Sequence, residues 1–211
     1  MSIFEEMSSF LQQGRAPKVK ELVAQALENG EDPKRILEEG LLAGMGIIGA
    51  KFKNNEVYVP EVLIAARAMN AGMEVLKPAL ASGDVKAVGK AILGTVKGDL
   101  HDIGKNLVKI MLEGKGIEVI DLGTDVPPEK FIQAAIDNDA KIVACSALLT
   151  TTMGVMKDVV DKAVEMGVRD KVAIMVGGAP VTENFKDSIG ADYYAPDAAS
   201  AADVAYGILT A

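Results

Sequence analysis

The 211-residue sequence uses very little histidine, cysteine or aromatic side chain. It has one histidine, one cysteine and no tryptophan, and aromatic residues make up 4%. A lone cysteine cannot form an internal disulfide. One histidine and one cysteine are also too few for a structural zinc site, which needs several such ligands. These absences argue against a disulfide-stapled fold and against a zinc-stabilised domain.

Positive charge and long hydrophobic runs are also scarce. The formal net charge is −8, whereas a nucleic-acid partner requires a basic face. The longest apolar run, GLLAGMGIIGA at 40–50, is too short to span a bilayer. The opening stretch MSIFEEMSSF lacks the basic and apolar regions of a signal peptide. We therefore expect a soluble cytoplasmic protein with neither a nucleic-acid nor a membrane partner.

The first part of the chain has the periodicity of helices. Apolar residues recur every three or four positions in four segments: around 3–12, over 19–27, after the N-cap and proline at 32–33, and from Pro60 onward. This pattern predicts a four-helix bundle over residues 1–85. The stretch KPALASGDV at 77–85 predicts a linker, which would act as a hinge.

From Lys86 onward, strand patterns alternate with helical patterns five times. The predicted strands are 91–96, 117–122, 141–147, 171–177 and 191–195, and the predicted helices are about 103–114, 128–138, 153–166, 181–189 and 198–210. Such alternation is typical of a parallel sheet covered on both faces. The fold class is thus α/β: a helical-bundle cap followed, over 86–211, by a flavodoxin- or Rossmann-like doubly wound five-stranded parallel sheet.

Three unusual stretches follow three of the predicted strands. GDLHDIG follows the first strand, SALLTTTM the third and GGAPVT the fourth. Ligands of open α/β sheets bind beyond the carboxyl ends of the strands, where the winding reverses. If the strand order is the flavodoxin-like 2-1-3-4-5, strands 1, 3 and 4 are neighbours. The three loops would then line one crevice.

The histidine of the first loop, His101, has two interpretations from the residues alone. A surface or helix-capping histidine is one of them. The motifs of dinucleotide-binding, phosphate-loop and serine-hydrolase sites are absent. The other interpretation is a single imidazole that serves one metal carrying its own remaining ligands, as in a tetrapyrrole-like cofactor. Asp99 could then orient the ring and raise its basicity.

The motifs of the three loops, in this order, resemble those of the cobalamin-binding domains of methionine synthase and of the corrinoid proteins of methyltransferase systems. The matching positions are Asp99, His101 and Gly104 (D-x-H-x-x-G), Ser146 and Leu148 (S-x-L), and the pair Gly177 and Gly178. The intervals are 41 residues (105–145) and 28 residues (149–176). Residues 44–69 resemble the helical cap of these proteins, so nearly the whole chain is covered.

The resemblance implies a bound cobalamin that cycles between methylcobalamin and a Co(I) corrinoid. It would be bound base-off, with His101 as the lower axial cobalt ligand. Asp99, His101 and Thr152 would form a proton relay, with threonine in place of the family's serine. Ser146 would donate to the displaced benzimidazole, and the three glycines would let backbone approach the cofactor. The other expected cofactor contacts are Leu100, Asp102, Ile103, Leu148, Thr150 and Ala198, with Phe52 and Val59 from the cap.

Phe52 and Val59 also have a simpler interpretation as bundle core, and Val59 is smaller than the expected leucine. As a whole, the resemblance implies a corrinoid methyl carrier, not a complete enzyme by itself. Its partners would be a substrate-specific methyltransferase, a second methyltransferase acting on a thiol or folate acceptor, and a reductive activator. The alternatives are a cobalamin-dependent sensor or regulator, a mutase subunit, and a module that binds no corrin. The sequence leaves the methyl donor, the acceptor, the native lower base and the oligomeric state open.

Overall fold

The computed structural model describes residues 2–81 and 87–211, apart from the side chain of Ala81. The chain divides into two compact units, Met1–Lys86 and Ala87–Ala211. Within the described residues, no helix is long and apolar enough to cross a membrane.

In the described part of the first unit, residues 2–81, all regular elements are helices. They are α1 (Ile3–Gln12), α2 (Ala16–Glu28), the short α3 (Pro33–Arg35), a π-helix (Ile36–Leu42), α4 (Ala43–Lys53) and α5 (Val59–Ala81). Ser2 and Glu5 form a capping box that starts α1, and Asp32 caps α3 as predicted. The apolar stripes meet in a core that contains Met7, Leu11 and Val19. The unit therefore has the helices of the predicted bundle.

Two details of this unit differ from the sequence prediction. The stripe through Ile36 and Ile48 predicted one regular helix, but residues 36–42 form a π-helix. At Gly40 in that segment, a Cβ atom would lie 2.5 Å from the sulfur of Met7 on α1, so any larger residue would have to displace the Met7 side chain. The predicted linker was wrong over 77–81, because α5 continues past Pro78 to Ala81. Pro78 removes one backbone donor near the helix end without stopping the helix. Residues 82–85 of that linker lie outside the described residues.

The second unit is a five-stranded parallel sheet with helices between the strands. Its strands are β1 (Lys90–Thr95), β2 (Glu118–Asp121), β3 (Ile142–Ser146), β4 (Ala173–Gly177) and β5 (Tyr193–Tyr194). Its helices are α6 (Ile103–Glu113), α7 (Pro128–Asn138), α8 (Gly154–Glu165), α9 (Glu183–Ile189) and α10 (Ala198–Thr210). The strand order is β2-β1-β3-β4-β5, with every pair parallel. The predicted α/β fold class is confirmed, and the strand order is the flavodoxin-like one that the sequence analysis assumed.

The central strands are buried and closely packed. Ile92, Val143 and Ile174 of three adjacent strands are fully buried. A Cβ atom at Gly94 would lie 2.8 Å from the ring of Phe131 on α7, so glycine lets the helix approach β1. Cys145 lies in this core, and burial raises the pKa of its thiol to about 12. Cys145 is therefore an inert packing residue.

The register of the central strands determines where their loops begin. Thr95 at the end of β1 pairs with Ser146 of β3, and Ser146 pairs with Gly177 of β4. The three strands thus end at one level, at the same edge of the sheet. The loops that follow them start side by side, as expected for a ligand site in an open α/β sheet.

Candidate functional site

The site is centred on the carboxylate of Asp99, which is fully buried in the loop after β1. The His101 amide donates to Oδ1 over 3.0 Å. The amides of Leu148 and Leu149, in the loop after β3, donate to Oδ2 over 2.8 and 3.2 Å. The Thr152 hydroxyl lies 3.0 Å from the same oxygen. Groups from two loops therefore converge on one carboxylate.

These donors determine the charge of Asp99. Burial alone would raise the pKa of this carboxyl group. The hydrogen bonds from the amides of His101 and Leu148, from the His101 ring and from the Thr152 hydroxyl outweigh burial and hold the pKa well below its ordinary range. Asp99 is therefore ionised at neutral pH and can only accept hydrogen bonds.

The charge of Asp99 in turn determines the tautomer of His101. The ring Nδ1 lies 2.7 Å from Asp99 Oδ1. Because the carboxylate can only accept, Nδ1 must carry the proton and donate it. In the neutral ring the lone pair is then on Nε2. The side chain is 52% exposed, in contrast to the buried Asp99 beneath it. This arrangement presents a metal-ligating nitrogen outward from a fixed ring.

Backbone contacts fix the rest of the histidine loop. The hydroxyl of Thr95, at the end of β1, donates to the carbonyl oxygen of His101 over 2.8 Å. Sequence analysis missed both Thr95 and Leu149. The clue for Thr95 is a hydroxyl residue within the apolar run AILGTV at 91–96. Leu149 acts through its backbone amide, and no side-chain pattern reveals such a role.

Large exposed apolar side chains are found in the histidine loop and in the loop after β3 that binds Asp99. Leu100 is 73% and Ile103 is 77% exposed, the highest values among the exposed large apolar residues of the described chain. Leu148 and Leu149 are also exposed. Exposed apolar residues grouped around one polar group are typical of a ligand-binding surface. The loop is thus suited to a large, mostly apolar ligand.

The motif glycines have two different structural settings. A Cβ atom at Gly104 would meet nothing within 4 Å, so the protein itself does not require glycine there. At Gly178 a Cβ atom would clash with the carbonyl oxygen of Ala147, and φ is +128°. Gly177 is less constrained, because a Cβ atom there would lie 3.3 Å from the carbonyl oxygen of Ala195. Gly178 is thus required by packing between loops, whereas Gly104 leaves open space beside His101.

The remaining predicted residues are placed less centrally. Ser146 is half-buried at the end of β3, and Thr150 is exposed in the next loop. The Asp102 carboxylate accepts from the Asn106 side chain over 3.1 Å. Ala198 is buried at the start of α10. For these residues, cofactor contact stays a prediction.

The two predicted cap residues belong to the other unit. Phe52, near the end of α4, and Val59, at the start of α5, are both half-buried. Neither is part of the fully buried bundle core. Their contact with a corrin also stays a prediction.

The fold and site together define a cofactor-binding α/β protein that offers one oriented imidazole to its ligand. Comparison with known families identifies that class. Two family models match the chain, each described as a B12 binding domain, one over residues 3–77 and the other over residues 89–203. The chain belongs to this family, and the predicted cofactor, cobalamin, is confirmed.

Individual relatives extend this match over nearly the full chain. Trimethylamine corrinoid protein 1 of Methanosarcina acetivorans is 44% identical over 180 residues, covering 84% of this chain and 83% of the relative. Dimethylamine corrinoid protein 1 of Methanosarcina mazei is 40% identical over 205 residues, 95% of each chain. The predicted resemblance to corrinoid proteins is therefore confirmed.

Solved structures agree with the sequence relatives. A chain of the methanol:cobalamin methyltransferase complex MtaBC from Methanosarcina barkeri superposes with a TM-score of 0.89 at 32% identity, covering 99% of this chain and 80% of that one. A cobalamin-binding protein from Desulfitobacterium hafniense superposes with a TM-score of 0.78 at 30% identity, covering 95% and 96%.

The described residues fit a corrinoid. His101 keeps one ring nitrogen for a metal, because Asp99 engages the other. The exposed side chains of Leu100 and Ile103 suit the apolar part of a macrocycle. No protein atom lies within 4 Å of the position that a Cβ atom would take at Gly104, so this space is open to a ligand.

Proposed function

We propose that this protein is a methyl carrier that binds cobalamin base-off and holds it through Nε2 of His101. The observation that carries the proposal is the 2.7 Å contact between His101 Nδ1 and the buried, ionised Asp99. When bound, cobalamin supplies the cobalt centre that accepts and releases the methyl group. Around it, Leu100, Ile103 and Gly104 would bind the macrocycle, while Ser146, Gly177 and Gly178 would line the path of the nucleotide tail.

Asp99, His101 and Thr152 would act together as a proton-holding unit. With Nε2 free, the pair would hold the proton of the relay between the imidazole and the buried Asp99 carboxylate, whose Oδ1 lies 2.7 Å from Nδ1. The Thr152 hydroxyl, 3.0 Å from Oδ2, would stabilise the carboxylate whether Nε2 is free or bound to the metal. The unit would thus make release and return of the ligand nitrogen dependent on pH. Replacing Asp99 by Asn should flatten the pH dependence of cobalt reduction, and an unchanged profile would rule out this role.

The partners follow from the same proposal. A substrate-specific methyltransferase would deliver the methyl group, a second methyltransferase would pass it to a thiol or folate, and a reductive activator would restore inactive cofactor. Identities of 40–44% to trimethylamine and dimethylamine corrinoid proteins, against 32% to the methanol complex, favour a methylated amine as donor. Incubation of the reconstituted protein with methylamine or methanol methyltransferases, each with its substrate, should give methylation with the former. Methylation only with the methanol enzyme would overturn the donor assignment.

The ligation is tested by spectroscopy of the anaerobic protein reconstituted with cobalamin. The Co(II) electron-paramagnetic spectrum of the wild type should show splitting by one histidine nitrogen. His101→Ala should lose that splitting while cobalamin stays bound. Asp99→Asn, which keeps the imidazole, should retain the splitting in a reduced fraction of molecules. A wild-type spectrum without nitrogen splitting, or one unchanged in His101→Ala, would contradict the proposal.

A further inference from the structure

Asp125, in the loop after β2, is bonded to the histidine loop in both directions. Its carboxylate Oδ1 accepts a hydrogen bond from the Gly98 amide over 2.7 Å. Its own amide donates to the carbonyl oxygen of Asp99 over 3.0 Å. The two bonds close a ring between the loops after β1 and β2. Both ends of the Gly98–Asp99 dipeptide, the Gly98 amide and the Asp99 carbonyl, are thereby tied to one aspartate.

The conformation of Asp125 is specialised for these bonds. Its φ is +54°, a left-handed backbone that side-chain-bearing residues rarely adopt and that aspartate and asparagine tolerate best. Gly98, its partner, also has a positive φ of +85°. Strained backbone persists only where surrounding structure holds it, and it is concentrated at functional sites. Here the strained residue contacts the loop that carries the histidine.

The loop after β2 is itself anchored, so it can act as a support. The buried Val126 donates its amide to the carbonyl oxygen of Thr95 over 3.0 Å. At the other end of the loop, Asp121 accepts from the buried ammonium of Lys105 on α6. The loop is therefore held by β1 on one side and by α6 on the other. Asp125 projects from a fixed frame toward the histidine loop.

Asp99 is consequently held from two sides by different loops. The loop after β3 binds its carboxylate through Leu148, Leu149 and Thr152. Asp125 binds its backbone carbonyl and the amide of the residue before it. Both the His101 amide and its ring are bonded to Asp99 Oδ1, so a shift of the Asp99 backbone would move the ring.

We propose that Asp125 is a positioning residue for the histidine ligand: through Gly98 and Asp99 it sets the fraction of molecules in which His101 coordinates. This inference rests on the proposed role of His101. The function of Asp125 requires a side-chain acceptor at Oδ1, not a negative charge, because its partner is a neutral backbone amide.

Three substitutions separate the acceptor from the backbone conformation. Asp125→Asn keeps the Oδ1 acceptor and tolerates the left-handed backbone. Asp125→Gly accepts that backbone easily but loses the acceptor, and Asp125→Ala loses both. Asp139→Ala is the matched control, since Asp139 also has a positive φ, of 52°, but ends α7 and has no described contact with the histidine loop.

Two measurements are made on each variant. In the cofactor-free protein, amide hydrogen exchange at Gly98 should accelerate by at least about fivefold in Asp125→Ala and Asp125→Gly and stay near wild type in Asp125→Asn. In the cobalamin-loaded protein, the nitrogen-split fraction of the Co(II) signal should fall in the first two variants only. Asp139→Ala should leave both readings unchanged.

The outcomes distinguish this inference from the proposed function. The positioning role would be overturned if Asp125→Ala and Asp125→Gly both kept wild-type hydrogen exchange at the Gly98 amide and wild-type nitrogen splitting. Loss of the splitting in Asp125→Asn would overturn it as well. If Asp139→Ala lost as much Gly98 amide protection and nitrogen splitting as Asp125→Ala, the effect would be general destabilisation, which would also overturn the positioning role. A wild type without nitrogen splitting would contradict the proposed ligation and, with it, the role of Asp125 toward a ligand.

Discussion

The hydroxyl of Thr152 and the carboxylate of Asp99 lie 3.0 Å apart, although the two residues are 53 positions apart in the sequence. The other oxygen of that carboxylate holds the His101 ring. One buried side chain thus joins a hydroxyl in the loop before α8 to an exposed imidazole in the loop before α6. A change at Thr152 should therefore be measurable both in stability and at the histidine.

Thr152→Val keeps the shape of the side chain and removes the hydroxyl. Since a hydrogen bond to a charged group contributes about 1.5–3 kcal/mol, we expect the free energy of unfolding to fall by about that amount. Thr152→Ser, which keeps the hydroxyl and loses one methyl group, should cost less than about 1 kcal/mol. Urea unfolding of the cofactor-free variants measures both. Equal losses in the two variants would show that packing, not the hydroxyl, stabilises the site.

Gly104→Ala should separate cofactor binding from folding. The added methyl group meets no protein atom within 4 Å, and alanine favours a helix over glycine by up to about 1 kcal/mol. Stability should therefore be unchanged or slightly higher, while cobalamin binding, measured by titration, should weaken by at least about tenfold. Wild-type affinity in Gly104→Ala would show that the cofactor does not occupy this space.

Gly178→Ala should behave in the opposite way. The new Cβ atom would clash with the carbonyl oxygen of Ala147, at a backbone φ of +128°. Strain and overpacking together should lower the free energy of unfolding by about 2–5 kcal/mol even without cofactor. Thermal unfolding of cofactor-free Gly178→Ala beside Gly104→Ala compares the two directly. An unaffected Gly178→Ala protein would contradict the packing role.

Lys105, buried in the first turn of α6, forms an ion pair with the partly exposed Asp121 at the end of β2. The ammonium is 2.7 Å from each carboxylate oxygen, and the lysine side chain is 3% exposed. Asp121→Asn leaves a buried charge poorly paired and should cost about 3–5 kcal/mol. Adding Lys105→Met should recover much of that loss. Asp161→Asn, which breaks the exposed pair with Lys157, should cost at most about 1 kcal/mol. A double variant no more stable than Asp121→Asn would contradict this account.

Stability should fall in acid because of Asp99 and Asp121. Burial opposes ionisation of each, but their hydrogen bonds prevail and lower the pKa of both carboxyl groups in the folded protein. As the pH falls, the unfolded chain, with an aspartate pKa of about 3.9, takes up these protons first. The stabilisation is thus complete above that pKa and is lost from about pH 4 downward.

Urea unfolding between pH 7 and pH 3 measures this dependence. Asp99→Asn should show a shallower decline of stability below about pH 4 than the wild type. The exposed Asp158 on α8 provides the control, and Asp158→Asn should keep the wild-type decline. Identical slopes in the wild type and Asp99→Asn would mean that Asp99 contributes nothing to acid sensitivity.

Whereas the flavodoxin-like strand order was an assumption that the structure had to settle, the sequence by itself determined the class of fold and the histidine loop. This was possible because hydrophobic periodicity is a local property, and because D-x-H-x-x-G lies within six consecutive residues. It also placed three motif loops at the ends of strands β1, β3 and β4. Only the tertiary structure decided which groups in those loops meet.

The structure revealed the amides of Leu148 and Leu149 on Asp99, the bonds from Asp125, and the burial of Lys105, a residue expected on a surface. It also showed that α5 continues past Pro78 and that Gly178 is needed for loop packing. These features depend on backbone donors and on contacts between distant segments. Their distances are set by strand register and crossover geometry, which no local pattern of side chains encodes.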